Sequence, residues 1–185
     1  DKIKNLKVNF KRSKLNTDYF FEDDTIILKS NNSFLGTNKF DYKGKINLEP
    51  FDFQIESEIQ KFDIKKILPK KNILDEIFSY EFLLNENFNG KFAIKSKNLN
   101  NGGFFNEILL NLNYVGEKIE LSNSKLLNKK IGSLNLDFGN IYLEENDIFF
   151  KGKFSFEIFD KNRFYRKFLV SKKNQKDLDK IYFGL

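Results

Sequence analysis

The feature that most limits the fold of this chain is a repeated alternation of apolar and polar residues, which extends from Phe34 to Phe159. The segments 108–114 (ILLNLNY) and 118–122 (KIELS) both show it, and a Val-Gly-Glu turn separates them. Successive side chains of a β-strand point to opposite faces, so this period of two predicts strands with one apolar and one polar face. The sequence therefore predicts a mainly β fold built on an antiparallel sheet.

Two segments leave the strand period and predict helices. Residues 63–78 form a short helical insert that Asp63 caps, and residues 160–170 form a C-terminal amphipathic helix that Asp160 caps. Asn174 is predicted to cap one more turn. We predict a loop over 11–18 and tight connections at 89–90, 101–103 and 145–147. The predicted strands are 3–10, 25–28, 38–48, 51–56, 80–84, 91–97, 107–114, 118–126, 133–138, 148–159 and the tail from 181 onward.

The residue types that are absent exclude several kinds of chemistry. The 185 residues suit one domain, or one piece of a larger sheet, and include no His and no Cys. Nucleophilic sites that use His, thiolate zinc sites, iron-sulfur clusters and disulfides are therefore excluded. No apolar run is long enough to span a bilayer and no leader pattern is present. Because the chain opens on Asp1, inside strand-like sequence, we expect a fragment of a longer protein.

The net charge of +6 raises the question of nucleic acid binding. Lysine pairs occur at 65–66, 70–71, 129–130 and 172–173, but 26 acidic residues are scattered among them. A groove that follows phosphates needs a stripe of one sign, so we expect no nucleic acid partner. Solvated lysine faces that protect sheet edges, or attraction to anionic lipid headgroups, are the alternatives.

Acidic pairs are candidate catalytic or metal-binding groups. Asp23-Asp24, Glu144-Glu145 and the spaced pair Asp177 and Asp179 could suit a cation or carboxylate-based hydrolysis. Turns and helix starts also collect acidic residues for solubility and capping. We favour that second interpretation and expect no enzyme activity, no metal and no cofactor.

Units of strand and turn with the pattern "G-x-hydrophobic-x-hydrophobic" recur along most of the chain, and a helix is predicted after the first unit. The segments concerned are 40–53, 63–68, 89–94, 110–112, 119–121 and 131–136. Together they resemble the AsmA-like family of bacterial envelope proteins.

The resemblance implies a location, an architecture and a role. The whole protein would be anchored in the inner membrane of a Gram-negative bacterium, through a segment outside these residues, and would lie in the periplasm. Its extended, curved sheet would form an apolar groove that takes part in phospholipid movement between the two membranes and in outer-membrane integrity. Residues 1–185 would be a single segment of that groove, toward the C-terminal part.

The apolar strand positions are the candidate groove, and two arginines are the candidate headgroup ligands. Arg163 and Arg166 lie about one helical turn apart and suit a phosphate, although a solvated helix face explains them as well. The groove residues could equally belong to a closed core, in which case the chain is a structural or protein-interaction β-domain without a lipid ligand. The groove candidates are Leu110, Leu112, Leu134, Leu136, Phe154, Phe156 and Ile158.

Overall fold

A single large sheet dominates the structure, a computed structural model that describes residues 2–10, 12–61, 87–99, 103–145 and 147–185. The sheet has 13 strands in the order β1-β2-β3-β5-β6-β7-β8-β10-β11-β12-β13, while β4 pairs with β2 and β5, and β9 pairs with β8 and β11. The predicted mainly β fold is confirmed. The strands are β1 (Lys4–Phe10), β2 (Ser13–Glu22), β3 (Thr25–Ser30), β4 (Phe34–Leu35), β5 (Asn38–Asn47), β6 (Asp52–Ile59), β7 (Gly90–Ser96), β8 (Glu107–Val115), β9 (Lys118–Glu120), β10 (Ser124–Asn128), β11 (Gly132–Glu144), β12 (Asp147–Ile158) and β13 (Lys180–Gly184).

One strand pair departs from the antiparallel arrangement. β6 and β7 run in parallel, from Phe53 opposite Gly90 to Glu58 opposite Lys95, whereas the other strand pairs along this path are antiparallel. Parallel strands need a long crossover connection. The tight connection predicted at residues 89–90 would join β7 to the strand predicted over 80–84, which lies outside the described residues. Gly90 begins β7 with a φ of 155°, where its backbone lies against the Phe53 ring and a Cβ would collide with it.

The predicted loop over residues 11–18 is also wrong from Ser13 onward. β2 pairs with β1 from Phe10 opposite Ser13 to Lys4 opposite Tyr19. Polar cross-strand contacts join this pair, because Asn5 Nδ2 donates to Asn16 Oδ1 at 2.9 Å and to Asp18 Oδ1 at 2.6 Å. The alternation of apolar and polar residues does not identify a strand whose polar side chains form hydrogen bonds with the neighbouring strand.

The single strand predicted over 118–126 is two strands. Residues 121–123 separate β9 from β10, and Asn123 takes a left-handed conformation with a φ of 61°. β9 pairs with Asn140–Tyr142 of β11, whereas β10 pairs with Gly132–Leu136. β11 is therefore longer than predicted because it supports both short strands.

The C-terminal helix is confirmed in a shorter form, as α1 (Lys161–Lys167). Asp160 caps it as predicted, since its Oδ1 accepts a hydrogen bond from Arg163 N at 2.9 Å. The turn predicted after Asn174 is wrong: a 3-10 turn spans Lys172–Asn174, and Ser171 precedes it. The predicted insert over 63–78 and the strand over 80–84 lie outside the described residues. No helix in the described ranges is long and apolar enough to cross a membrane.

The strand register sorts the side chains onto two unlike faces. The apolar face contains cross-strand rows such as Ile108, Leu126, Leu134, Phe156 and Ile181. The polar face contains rows such as Lys29, Lys43, Glu56, Ala93 and Asn111. These two faces position the candidate sites.

Candidate functional site

All the predicted groove residues lie on the apolar face, although they come from three strands. The register places Leu134 opposite Phe156 and Leu136 opposite Phe154, while Gly132 lies opposite Ile158. In β8, Leu110 lies opposite Ile94 and Leu112 opposite Phe92. Alternation of apolar and polar residues is sufficient to predict this shared face, because strands pair in the register that places their apolar side chains on the same side of the sheet.

The groove candidates differ in how deeply they are buried. Phe156 and Ile158 are only 8% and 7% exposed, and the Phe156 ring lies 5.4 Å from the Phe164 ring of α1. Phe104 and Phe105 contact the same ring at 5.9 and 6.3 Å. Phe156 therefore belongs to a core beneath the helix, and Ile158 is buried in the same strand. Leu110, Leu112, Leu134, Leu136 and Phe154 remain half-buried.

A second aromatic cluster lies on the apolar face where β6, β7 and β8 meet. The Phe53 ring is 5.0 Å from Phe88 and 5.6 Å from Tyr114, and Phe51 lies 5.8 Å from Phe88. Burial raises the pKa of the Tyr114 hydroxyl above its ordinary value. The sequence reasoning missed this cluster because its residues meet only through the parallel β6–β7 pair.

The apolar face continues to both ends of the sheet. Leu6 and Val8 of β1 are 53% and 45% exposed, and Phe183 of β13 is 45% exposed. Phe183 stacks on Phe154 with the ring centroids 5.5 Å apart and the planes at 10°. Large apolar side chains thus remain accessible on this face outside the two aromatic clusters.

The polar face carries a groove of about 870 Å³ that crosses β3, β5, β6, β7 and β8. Its charges are of both signs: Lys43 Nζ lies 3.6 Å from Glu56 Oε2, and Glu120, also in the lining, pairs through Oε1 with Lys118 Nζ at 3.0 Å. Hydrogen bonds from Lys118 and from Asn113 lower the pKa of Glu120. The strand order brings these residues together, so the sequence alone gave no sign of this groove.

The two candidate headgroup arginines line a basic pocket. This pocket, of about 890 Å³, lies between α1 and the turn that joins β10 to β11. The lysine pair 129–130 is visible in the sequence, but no local pattern connects it with the helix. The pocket is lined by Asn106, Glu107, Asn128, Lys129, Lys130, Ile131, Arg163, Arg166 and Lys167.

The acidic pairs lie in turns or ion pairs. Asp23 and Glu145 occupy hairpin turns with φ values of 49° and 51°. Asp177 and Asp179 both pair with Lys161 Nζ, the latter at 2.7 Å. Within the described ranges, no group of three or more acidic side chains is placed to hold a metal ion.

Comparisons with known proteins add no assignment. No family model matches the chain, and no curated protein or solved structure matches it either. The two faces of the sheet and the basic pocket are therefore the features from which a function can be inferred.

Proposed function

We propose that this chain is a non-enzymatic segment of a bacterial envelope protein, periplasmic and anchored in the inner membrane, that shields phospholipid acyl chains on the apolar face of its sheet. The observation that carries the proposal is an apolar face that extends from β1 to β13 and leaves large side chains half-buried or exposed. An extended apolar surface of this kind marks an interaction site. The AsmA-like sequence pattern supports an envelope location and a role in outer-membrane integrity.

The energy of lipid transfer explains why such a face would be useful. Each methylene that leaves a bilayer for water costs about 0.8 kcal/mol, so a chain of about 16 carbons costs on the order of 10 kcal/mol. Leu110, Leu112, Leu136 and Phe154 offer half-buried apolar contacts that lower this cost. No reaction is needed, because the groove acts by replacing lipid with protein around the acyl chain.

The alternative function is a structural or protein-interaction domain with a closed core. It is favoured by one specific observation, the burial of Phe156 beneath α1. A small core around Ile59 and Leu99, which are 5% and 6% exposed, also fits it. On that alternative the remaining apolar residues contact another protein surface.

A pair of adjacent leucines gives the sharpest test. Leu109 and Leu110 are both half-buried residues of β8, but they lie on the polar and the apolar face respectively. We expect Leu110→Ser to weaken binding of a fluorescent fatty acid about fivefold, since truncating a partly buried Leu costs on the order of 1 kcal/mol of apolar contact. Leu109→Ser is the matched control and should leave the affinity unchanged.

The same variants separate the two functions. Native mass spectrometry of protein purified from cells should show bound phospholipid in the wild type and less of it in Leu110→Ser. If neither phospholipid nor fatty acid binds, and both variants change only stability, the lipid proposal is wrong and the closed-core function stands. Equal losses of affinity in the two variants would also contradict a groove on the apolar face.

A further inference from the structure

Five cationic side chains from two distant parts of the chain converge on the basic pocket, whose lining includes a single carboxylate. Arg163, Arg166 and Lys167 come from α1, while Lys129 and Lys130 come from the turn between β10 and β11. Gathering like charges is unfavourable, so the fold needs a reason to hold them together.

Hydrogen bonds fix the helix and the turn relative to each other. Ile131 O, in the turn, accepts from Phe159 N at 2.9 Å just before the helix begins. Asn128 Nδ2 donates to Phe104 O at 2.6 Å and so fixes the neighbouring loop. Tyr165, which is 6% exposed, anchors the inner side of α1 and donates its hydroxyl to Lys176 O. These hydrogen bonds hold the two sides of the pocket in place.

Three of the five cations are left without a carboxylate partner. Lys129 Nζ lies 2.5 Å from Glu107 Oε1, and Arg163 Nε lies 3.1 Å from Asp160 Oδ2. Among the described residues, Lys130, Arg166 and Lys167 form no ion pair within 4.0 Å. The helix dipole accounts for basic residues in the last turn of α1, but it does not account for Lys130 on a separate turn.

Exposed apolar residues border these cations. Leu169 is 89% exposed, while Phe168, directly after Lys167, packs one side of its ring against Phe164 at 4.7 Å and Phe104 at 5.3 Å and remains 51% exposed. Leu169 also has a φ of 54°, a left-handed conformation that is unfavourable for any residue with a Cβ. Val170 N bonds to Tyr165 O at 2.9 Å and Leu169 N to Arg166 O at 3.3 Å, which is the helix ending that ordinarily uses Gly at the Leu169 position. Neither stability nor solubility explains an exposed leucine there.

We infer that the basic pocket binds a phosphate group, and that Phe168 and Leu169 make a phospholipid headgroup its source rather than free phosphate. Unpartnered guanidinium and ammonium groups suit a phosphate, and apolar side chains beside cations are typical of surfaces that enter the headgroup region of a bilayer. The inference deepens the proposed function, on which the lipid source rests. The phosphate chemistry itself is independent of acyl-chain binding on the apolar face.

The test measures co-sedimentation of the chain with vesicles of phosphatidylcholine alone and with vesicles that also contain phosphatidylglycerol. We expect binding only to the second kind, and a loss of about 25-fold in the double variant Arg166→Gln/Lys167→Gln, at about fivefold or 1 kcal/mol per cation. Lys130→Gln, outside the helix, should lose about fivefold. Glu107→Gln should strengthen binding, because it removes the carboxylate and frees Lys129.

Lys29→Gln/Lys45→Gln is the matched control, since it removes the same charge from exposed positions of the polar face. If this control weakens vesicle binding as much as Arg166→Gln/Lys167→Gln, diffuse charge explains the binding and the pocket is refuted. A titration with inorganic phosphate at constant ionic strength separates the sources. Phosphate binding that depends on Arg166, without vesicle binding, would keep the phosphate site and overturn the lipid source. Absence of both would overturn the inference, while fatty acid binding that depends on Leu110 would still support the proposed function.

Discussion

Replacing Phe156 by Ala tests whether α1 and the sheet form a common core. The Phe156 ring is 8% exposed and lies within 5.4–6.3 Å of three other rings. Removing a buried Phe typically costs about 3–5 kcal/mol, because the transfer free energy is lost and a cavity remains. In a chain of this size we expect the melting temperature to fall by about 10 °C.

Phe154 is the matched control, because it lies two residues away in the same strand and on the same face. It is half-buried, and its main aromatic partners are Phe183 at 5.5 Å and Phe150 at 6.0 Å. We expect Phe154→Ala to cost about 1–2 kcal/mol, from partial burial and a lost ring pair. Urea unfolding, monitored by circular dichroism, measures both losses of unfolding free energy, provided that the m value is the same in each variant.

The comparison also separates core from groove. Phe154→Ala should weaken fatty acid binding more than Phe156→Ala does, although it costs less stability. Equal losses of stability in the two variants would show that α1 does not cover Phe156 in the way the ring contacts indicate. The assignment of the core to one end of the apolar face would then be wrong.

Three further predictions follow from particular backbone and charge contacts. Leu169→Gly should stabilise the chain by about 1 kcal/mol in thermal melts while weakening binding to phosphatidylglycerol vesicles, because it relieves the left-handed strain and removes the exposed side chain. Gly44→Ala should destabilise by about 1–3 kcal/mol in urea, since its Cβ would collide with the β6 backbone, whereas Gly184→Ala should change stability little. Lys161 lowers the pKa of Asp177, so the ion pair stabilises the folded chain at pH values above 3.8, the ordinary pKa of Asp. This stabilisation is lost as the pH falls through the lowered pKa. The difference in melting temperature between wild type and Asp177→Asn should therefore vanish in acid.

The sequence predicted the elements whose signals are local. Asp160 and the helical spacing after it predicted α1, and the tail from Ile181 predicted β13. Predictions from the sequence are wrong where pairing with another strand decides whether a segment forms a strand. β2 looks like a loop because its stabilising hydrogen bonds come from Asn5, and the break at Asn123 depends on the two regions of β11 that β9 and β10 contact.

The candidate site divides in the same way. The groove candidates share a face because side-chain parity along a strand is a local property, which Leu134 and Leu136 display in the sequence itself. Their unequal burial could not be predicted, since Phe156 is covered by a helix that lies beyond its own strand and by a loop from before β8. Helical spacing is sufficient to identify Arg163 and Arg166 as candidates. It does not identify Lys129 and Lys130, which line the same pocket from a distant turn.

What the sequence determines by itself is a two-faced ribbon, because alternation fixes which side chains of a regular strand share a surface, whereas the register shift between Leu136 and Phe138 of β11 is decided by the pairing with β12. Only the tertiary structure decides that β6 and β7 pair in parallel and that the Lys129–Lys130 turn meets α1. Both depend on backbone hydrogen bonds between residues far apart in the chain, such as Phe159 N to Ile131 O. Those long-range bonds create the groove on the polar face and the basic pocket, which no local pattern encodes.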